Sequence, residues 1–275
     1  MYEDTRRLVN FVEAAAARIE QRGTDAFKEF DVADSQWQTA PTYLFVFDAG
    51  GTCVWHGLNR ELVGQNLINL RDALGKPVIK MVTNIGKRPR PDAADWVFYL
   101  WEERVDFAPT WKSSYIRKAV APGGKVYLVG SGSGTIKVEK IFLKEAVDAA
   151  AGMLQRRGRE VAFHDLREPS SRFQFLGSYI FVLDDKGKFL IDPGYPTLAG
   201  RDMSGFRDAI GRPVVQQLLE QLKTSDSAWS QFLWPKPGEV VLSRKMMYVR
   251  KVNCAGETLL VGSDFFVATP VWMRL

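Results

Sequence analysis

The chain repeats itself. "VEAAAARIEQRG" at residues 12–23 returns as "VDAAAGMLQRRG" at 147–158, an offset of 135, and the match then runs on at offset 136. "YLFVFDAGGTCVWHGLNRELVGQNLINLRDALGKP" from Tyr43 is echoed by "YIFVLDDKGKFLIDPGYPTLAGRDMSGFRDAIGRP" from Tyr179, with Gly64 on Gly200, Arg71 on Arg207, Asp72 on Asp208 and Pro77 on Pro213. Further along, the offset falls to 133, so that Trp96 lies on Trp229, Trp101 on Trp234, Lys112 on Lys245, Tyr115 on Tyr248 and Arg117 on Arg250. Such a ladder means one unit used twice in the 275 residues, and a single continuous sheet spanning both halves would contradict it. The repeat places the domains at 1–134 and 135–275.

The duplication also decides a misleading motif. "VYLVGSGSGTIK" at 126–137 runs from an apolar stretch through glycines into a helical pattern, the arrangement that cradles phosphate on backbone N–H groups. Its spacing is G-x-G-x-G, not the G-x-G-x-x-G of a dinucleotide loop. In the second copy "LVGSDFF" at 260–266 replaces the later glycines with Asp264, Phe265 and Phe266, which cannot cradle a phosphate. Gly130, Gly132 and Gly134 therefore read as a flexible hinge between copies.

Within each copy the pattern is legible. Leu8, Phe11, Val12, Ala15 and Ile19 recur at helical spacing and stop near Gly23, a suitable C-terminal cap. "YLFVFD" and "TCVWH" flank Ala49, Gly50 and Gly51, while "YIFVLD" and "KFLID" flank Asp185, Lys186 and Gly187, both hairpin signals. A helical or irregular stretch follows at about 60–85 and 197–223, and three further strands close the first copy: "DWVFYLWEE", "SSYIRKAV" and "KVYLVGS". The sum is an α+β unit, an antiparallel sheet of five or six strands with a long N-terminal helix on one face and a loop-lined cavity on the other.

Composition excludes several classes. Two cysteines, Cys53 and Cys254, are too few for a disulfide framework and read as buried thiols. The net charge of +5 is scattered in short clusters with acids close by, which is a solvated surface and not a nucleic-acid face. Two distant histidines, with no H-E-x-x-H, no cysteine pair and no G-x-S-x-G, offer neither a metal site nor a nucleophile elbow, so no catalysis and no cofactor are expected. No run approaches the roughly 20 apolar residues of a membrane span. The segment "MYEDTRRLVN" has charges where a signal peptide's apolar core would lie, and a removed leader accommodates that.

"YLFVFDAGGTCVWH" with the following "GQN" and "RDALGKP", and "FLWPKPGEVVLSRKMMYVRKV" with "LLVGS", resemble the single Cache domains of bacterial extracytoplasmic sensors, here in tandem over nearly the whole chain. The resemblance implies a PAS-like fold, a small organic ligand such as a short carboxylate (acetate-, pyruvate- or propionate-like), a periplasmic location and a membrane-bound signalling partner. The residues suit such a guest independently. Lys112 and Lys245 can neutralise a carboxylate through charge-assisted hydrogen bonds. Trp96, Tyr99 and Trp101, matched by Trp229, Phe232 and Trp234, offer aromatic walls, although strand alternation turns Tyr99 and Trp101 one way and Trp96 the other. Lys112 and Tyr115 likewise face opposite ways unless a bulge intervenes, and the same holds for Lys245 and Tyr248.

His56 closes the second strand of copy one, where Asp192 stands in copy two; Arg71 and Arg207 can reach an anion or pair with Asp72 and Asp208, and His164 reads as a surface residue. Copy one, keeping His56, Tyr99 and Lys112 together, is the favoured binding half. The expected function is an extracytoplasmic small-molecule sensor or solute-binding protein; the alternative is a ligand-free interaction or dimerisation module. Two readings of the chain's extent stay open: a receptor's sensory piece that continues into a transmembrane helix and a signalling output, or a complete soluble protein, at which the ending "TPVWMRL" soon after the last strand hints.

Overall fold

The computed structural model describes residues 1–33, 35–38, 42–102, 108–236 and 240–267. Glu103, Pro237 and Gly238 of the Trp-Pro-x-Pro-Gly segment, and "TPVWMRL" lie outside the described residues. The chain divides into two compact units, 1–137 and 138–275.

In the first unit, helix α1 (Glu3–Arg22) buries Leu8, Val12, Ala15, Ala16 and Ile19 along one stripe and ends where Gly23, at φ +59°, donates its N–H to the Ile19 carbonyl. A short α2 (Ala26–Phe30) follows. Strands β1 (Leu44–Asp48) and β2 (Cys53–His56) form a hairpin whose turn is held by the Asp48 carboxylate, accepting from the N–H groups of Gly50 and Thr52 at 2.9 and 2.8 Å. After α3 (Val78–Gly86) come β3 (Ala94–Glu102), β4 (Pro109–Val120) and β5 (Val126–Ser133). All pairings are antiparallel, in the order β2-β1-β5-β4-β3.

The second unit repeats this plan. It holds α4 (Lys140–Arg157), α5 (Arg159–Arg167), β6 (Gln174–Phe175), β7 (Ser178–Asp184), β8 (Phe189–Ile191), α6 (Val214–Thr224), β9 (Ser227–Pro235), β10 (Leu242–Cys254) and β11 (Glu257–Phe266). The sheet order is β6-β7-β11-β10-β9, with β8 also on β7. Asp184 holds its hairpin as Asp48 does, through the N–H groups of Lys186 and Lys188. Exposed His164 sits on α5. No helix among the described residues is long and apolar enough to cross a membrane.

Each sheet separates two apolar layers, because alternate side chains leave opposite faces. In the first unit, one layer joins α1 to Val46, Trp55 and Val129, and the other joins α3 to Phe45, Val97 and Ile116. The helix is also tied to the sheet by charge: Glu13 accepts from the Tyr115 hydroxyl at 2.7 Å and from Arg117 Nε at 3.1 Å. Asp148 of α4 takes the same place against Arg250, at 2.7 Å.

Two expectations are corrected here. Gly130 and Gly132 are no hinge; they lie inside β5, where Gly130 pairs with both Phe45 and Ile116 and has no room for a side chain. Arg71 and Arg207 do not enter a cavity. Each donates to a carbonyl four residues on, Gly75 or Gly211, at 2.7 and 2.8 Å, closing the loop that the R-D-x-x-G segment encodes. The aspartate of that segment completes the lock: Asp72 accepts from the N–H groups of Leu74, Lys76 and Leu100, and Asp208 from those of Ile210, Arg212 and Leu233. The motif fixes the loop to the sheet.

Candidate functional site

On the face away from α1, β3 and β4 help to line a cavity of about 190 Å³, room for a guest of several heavy atoms. Its walls are apolar, with Phe45 and Phe47 from β1 and Val78, Ile79 and Val82 from α3. Its polar groups gather at one place. Tyr99 and Trp101 point in from β3, Lys112 and Ser114 from β4, His56 from the end of β2, and Tyr43 from just before β1. The strand period of two dictates this set: 99 and 101 share a face, as do 112 and 114, and Tyr99 stands directly across from Lys112 in the β3–β4 register.

Lys112 is buried, and its ammonium donates to the Tyr43 hydroxyl and lies 4.7 Å from that ring's centre and 5.6 Å from that of Trp101. The Tyr99 hydroxyl and Ser114 Oγ are 2.9 Å apart, and burial holds the phenol above its ordinary pKa, so it stays a neutral donor. No carboxylate lines this cavity among the described residues.

His56 has one nitrogen committed. Its Nδ1 accepts from the N–H groups of Leu58 and Asn59 at 3.2 and 2.8 Å, which assigns the ring's proton to Nε2. Burial first, then the charges of Lys112 and Arg60, lower its pKa to about 4. The ring is therefore neutral near pH 7. The sign of its effect on stability follows: the folded state resists a proton that the unfolded chain takes up near pH 6.5, so stability present above pH 6.5 is lost as pH falls towards 4. Discounted for partial solvent screening, the loss is about 2 kcal/mol. Asn at position 56 keeps a loop acceptor without titrating, so His56→Asn should flatten the acid limb of a urea-midpoint profile between pH 6.5 and 4; an unchanged profile would refute the assignment.

The second unit has a matching cavity of about 170 Å³, with Tyr179, Phe232, Trp234 and Lys245 at the places of Tyr43, Tyr99, Trp101 and Lys112. Asp192 stands where His56 does and caps the same loop, accepting from the Tyr195 N–H at 2.8 Å. The Lys245 ammonium is engaged by Asp264 at 2.9 Å, both nearly buried, which corrects the expectation that it awaits a guest's carboxylate.

Four aromatic candidates belong to the other face. Trp96 packs on Phe98 and Tyr115, and the Tyr115 hydroxyl is spent on Glu13 of α1; Trp229 and Tyr248 pack together in the layer under α4. No bulge rescues them, because β4 and β10 keep regular register beside β3 and β9. Tyr43, Ser114, Asn59 and Asp264 line cavities but were not selected from sequence. The signal for Ser114 was present, two residues from Lys112 on one strand.

Comparison with known families closes the question of kinship. A model described as Cache domain matches residues 28–133, and one described as Single Cache domain 2 matches residues 138–266. The chain is a tandem of Cache sensor domains. None of the curated proteins matches it. Among solved structures, it is similar to a "Periplasmic sensor domain of chemotaxis protein" at 26% identity, covering 46% of this chain and 88% of that one, TM-score 0.35. It is similar also to the protein of "Structural basis for carboxylic acid recognition by a Cache chemosensory domain", at 21% identity, 46% and 92% coverage and TM-score 0.40. "Methyl-accepting Chemotaxis protein X" aligns over 95% of this chain and 90% of that one, at 12% identity and TM-score 0.31. In both Cache domains the candidate cavity lies on the sheet face opposite the long N-terminal helix, enclosed by the loops between β2 and α3 or between β8 and α6.

Proposed function

We propose that this tandem Cache module is an extracytoplasmic sensor that binds, without transforming, a short organic carboxylate in its first domain. The observation that carries this reading is the buried Lys112 ammonium on the wall of an otherwise apolar cavity, with neutral donors from Tyr43, Tyr99, Ser114 and His56 beside it. A carboxylate seated there replaces lost hydration with a charge-assisted hydrogen bond, and the apolar floor accepts a chain of two to four carbons. A larger guest is turned away by α3. Binding is then passed on through a membrane-bound signalling partner.

Thermal-shift titration with acetate, propanoate, pyruvate and butanoate at pH 7 tests the proposal. A ligand that binds only the folded state stabilises it by about 2.7 kcal/mol at a hundredfold excess over Kd, several degrees for a domain of this size. A saturable rise is expected for at least one of these acids and for none of the corresponding alcohols. Equal response to acid and alcohol, or none to either, would remove the proposal.

A further inference from the structure

The hollow of the second domain carries an unbalanced charge. Among the described residues its lining holds three charged side chains, Asp192, Lys245 and Asp264, so two carboxylates share one ammonium and one negative charge is left over. The strand period brings them together: Asp264 of β11 stands across from Met247 of β10, two residues on from Lys245, and Asp192 directly follows β8. Lys245 Nζ lies 2.9 Å from Asp264 Oδ2. Asp192 is buried and accepts from neutral donors, the N–H groups of Gly194 and Tyr195 and the Tyr179 hydroxyl, which steady its charge without cancelling it. Burial holds both carboxyls above their ordinary pKa, as negative charge short of a counter-ion requires.

The walls decide what kind of cation balances that charge. No three metal-ligating side chains come together among the described residues, so a bare metal ion finds too few ligands. Instead, Phe206 stands edge to face with Trp234 at 5.2 Å and with Phe232 at 6.4 Å between ring centres, and Val214 and Val215 of α6 line the same hollow. Such walls receive an alkyl stem and favour a cation beside aromatic rings. An anion is repelled by the surplus carboxylate, and a zwitterion has to open the Lys245–Asp264 pair to seat its own carboxylate. We propose that the second cavity is a binding site for a small alkylammonium ion, whose head balances Asp192 and Asp264 and whose stem lies on the aromatic wall. The volume of about 170 Å³ admits a stem of about four carbons. No residue of the first cavity takes part, so this site and the carboxylate seat stand or fall separately.

Isothermal titration of the full chain at pH 7 with butylammonium chloride, and with butan-1-ol as its uncharged match, gives the test. Butylammonium should bind saturably at one site per chain, and butan-1-ol at least about tenfold more weakly. Asp192→Asn keeps an acceptor for the turn but removes the charge, so it should weaken butylammonium by about tenfold or more. Asp264→Asn likewise brings the cavity's net charge to zero and should have the same effect, and it serves where the first variant fails to fold by circular dichroism. Butan-1-ol binding at least as tightly as the amine, no binding of either, or folded aspartate variants that hold the amine as wild type does would each overturn the inference. So would amine binding that is lost in Lys112→Met and kept in both aspartate variants, which would put the cation in the first cavity.

Discussion

Replacing Lys112 with Met should abolish the carboxylate-induced rise in melting temperature expected of the proposed site while leaving the unliganded protein folded. The ammonium is buried beside the cavity, so its hydration has already been lost on folding, and a carboxylate that reaches it gains a short ionic hydrogen bond in a poorly solvated place. Removing one partner of such a pair costs about 2–5 kcal/mol of binding. That is roughly 30- to several-thousand-fold in Kd, enough to carry a weak metabolite ligand out of the measurable range. Stability should respond little, because Met keeps the stem's length and an apolar group of similar volume in place of a buried charge is often neutral or stabilising. Tyr115→Phe is the matched control: it lies three residues away on the same strand but faces α1, so it should lose its bond to Glu13 and leave the carboxylate response intact. Retained binding in Lys112→Met would mean that the guest sits elsewhere.

The fold was readable because repetition doubles every signal. A helix period, a hairpin turn or an alternating strand seen once is a weak pattern, but the same pattern seen again at a fixed offset cannot be accidental, and loops reveal themselves where the offset slips. The site was readable only by halves. Strand alternation correctly separates Tyr99 and Trp101 from Trp96, and Lys112 from Tyr115, yet alternation is symmetric and does not say which face holds the hollow. That choice is made by α1, whose apolar stripe claims the face bearing Trp96 and Tyr115 and leaves the other to the loops. The arginines of the R-D-x-x-G segment misled for a different reason: their partners are backbone carbonyls of their own loop, and a carbonyl leaves no mark in a sequence. His56 and Asp192 look unlike one another as letters, yet both serve as the acceptor for the N–H groups of the turn that follows.

The two copies differ more in polarity on one sheet face than on the other. The layer under the long helix keeps its charge tie in both copies, Glu13 with Arg117 and Asp148 with Arg250, because that layer only has to hold the sheet. On the cavity side Gly132 and Asp264, Ser114 and Met247, and His56 and Asp192 exchange polarity without disturbing strand register, whereas helix-side exchanges such as Trp55 with Ile191 and Tyr127 with Leu259 keep to large, mainly apolar side chains.

Substituting Gly130 should damage the first domain severely. The position is central in β5, flanked by β1 and β4, and a Cβ there would stand 2.4 Å from Phe45 Cε2 and 2.5 Å from Ile116 Cδ1. Neither neighbour can yield cheaply: Phe45 is a rigid ring packed against Phe47 and His56, and Ile116 is fully buried and stiff at χ1. Overpacking of this kind costs about 1–3 kcal/mol for one carbon, a large share of the 5–15 kcal/mol that holds an ordinary domain together. Gly130→Ala should therefore lower the urea midpoint markedly, and Gly130→Val should prevent the first domain from folding. Gly262, whose Cβ would stand 2.3 Å from Phe181 Cζ, predicts the same for the second domain. Phe45→Ala makes the argument specific, since each change alone should destabilise while the Gly130→Val and Phe45→Ala pair together should recover part of the loss, a coupling that only direct contact produces. Gly132→Ala should behave differently: its neighbours are the rotatable Ser114 hydroxyl and the far end of Lys112, so it should cost less stability and more carboxylate affinity. Equal stability losses at 130 and 132, with no rescue by Phe45→Ala, would show that these glycines serve the backbone and not the space beside the sheet.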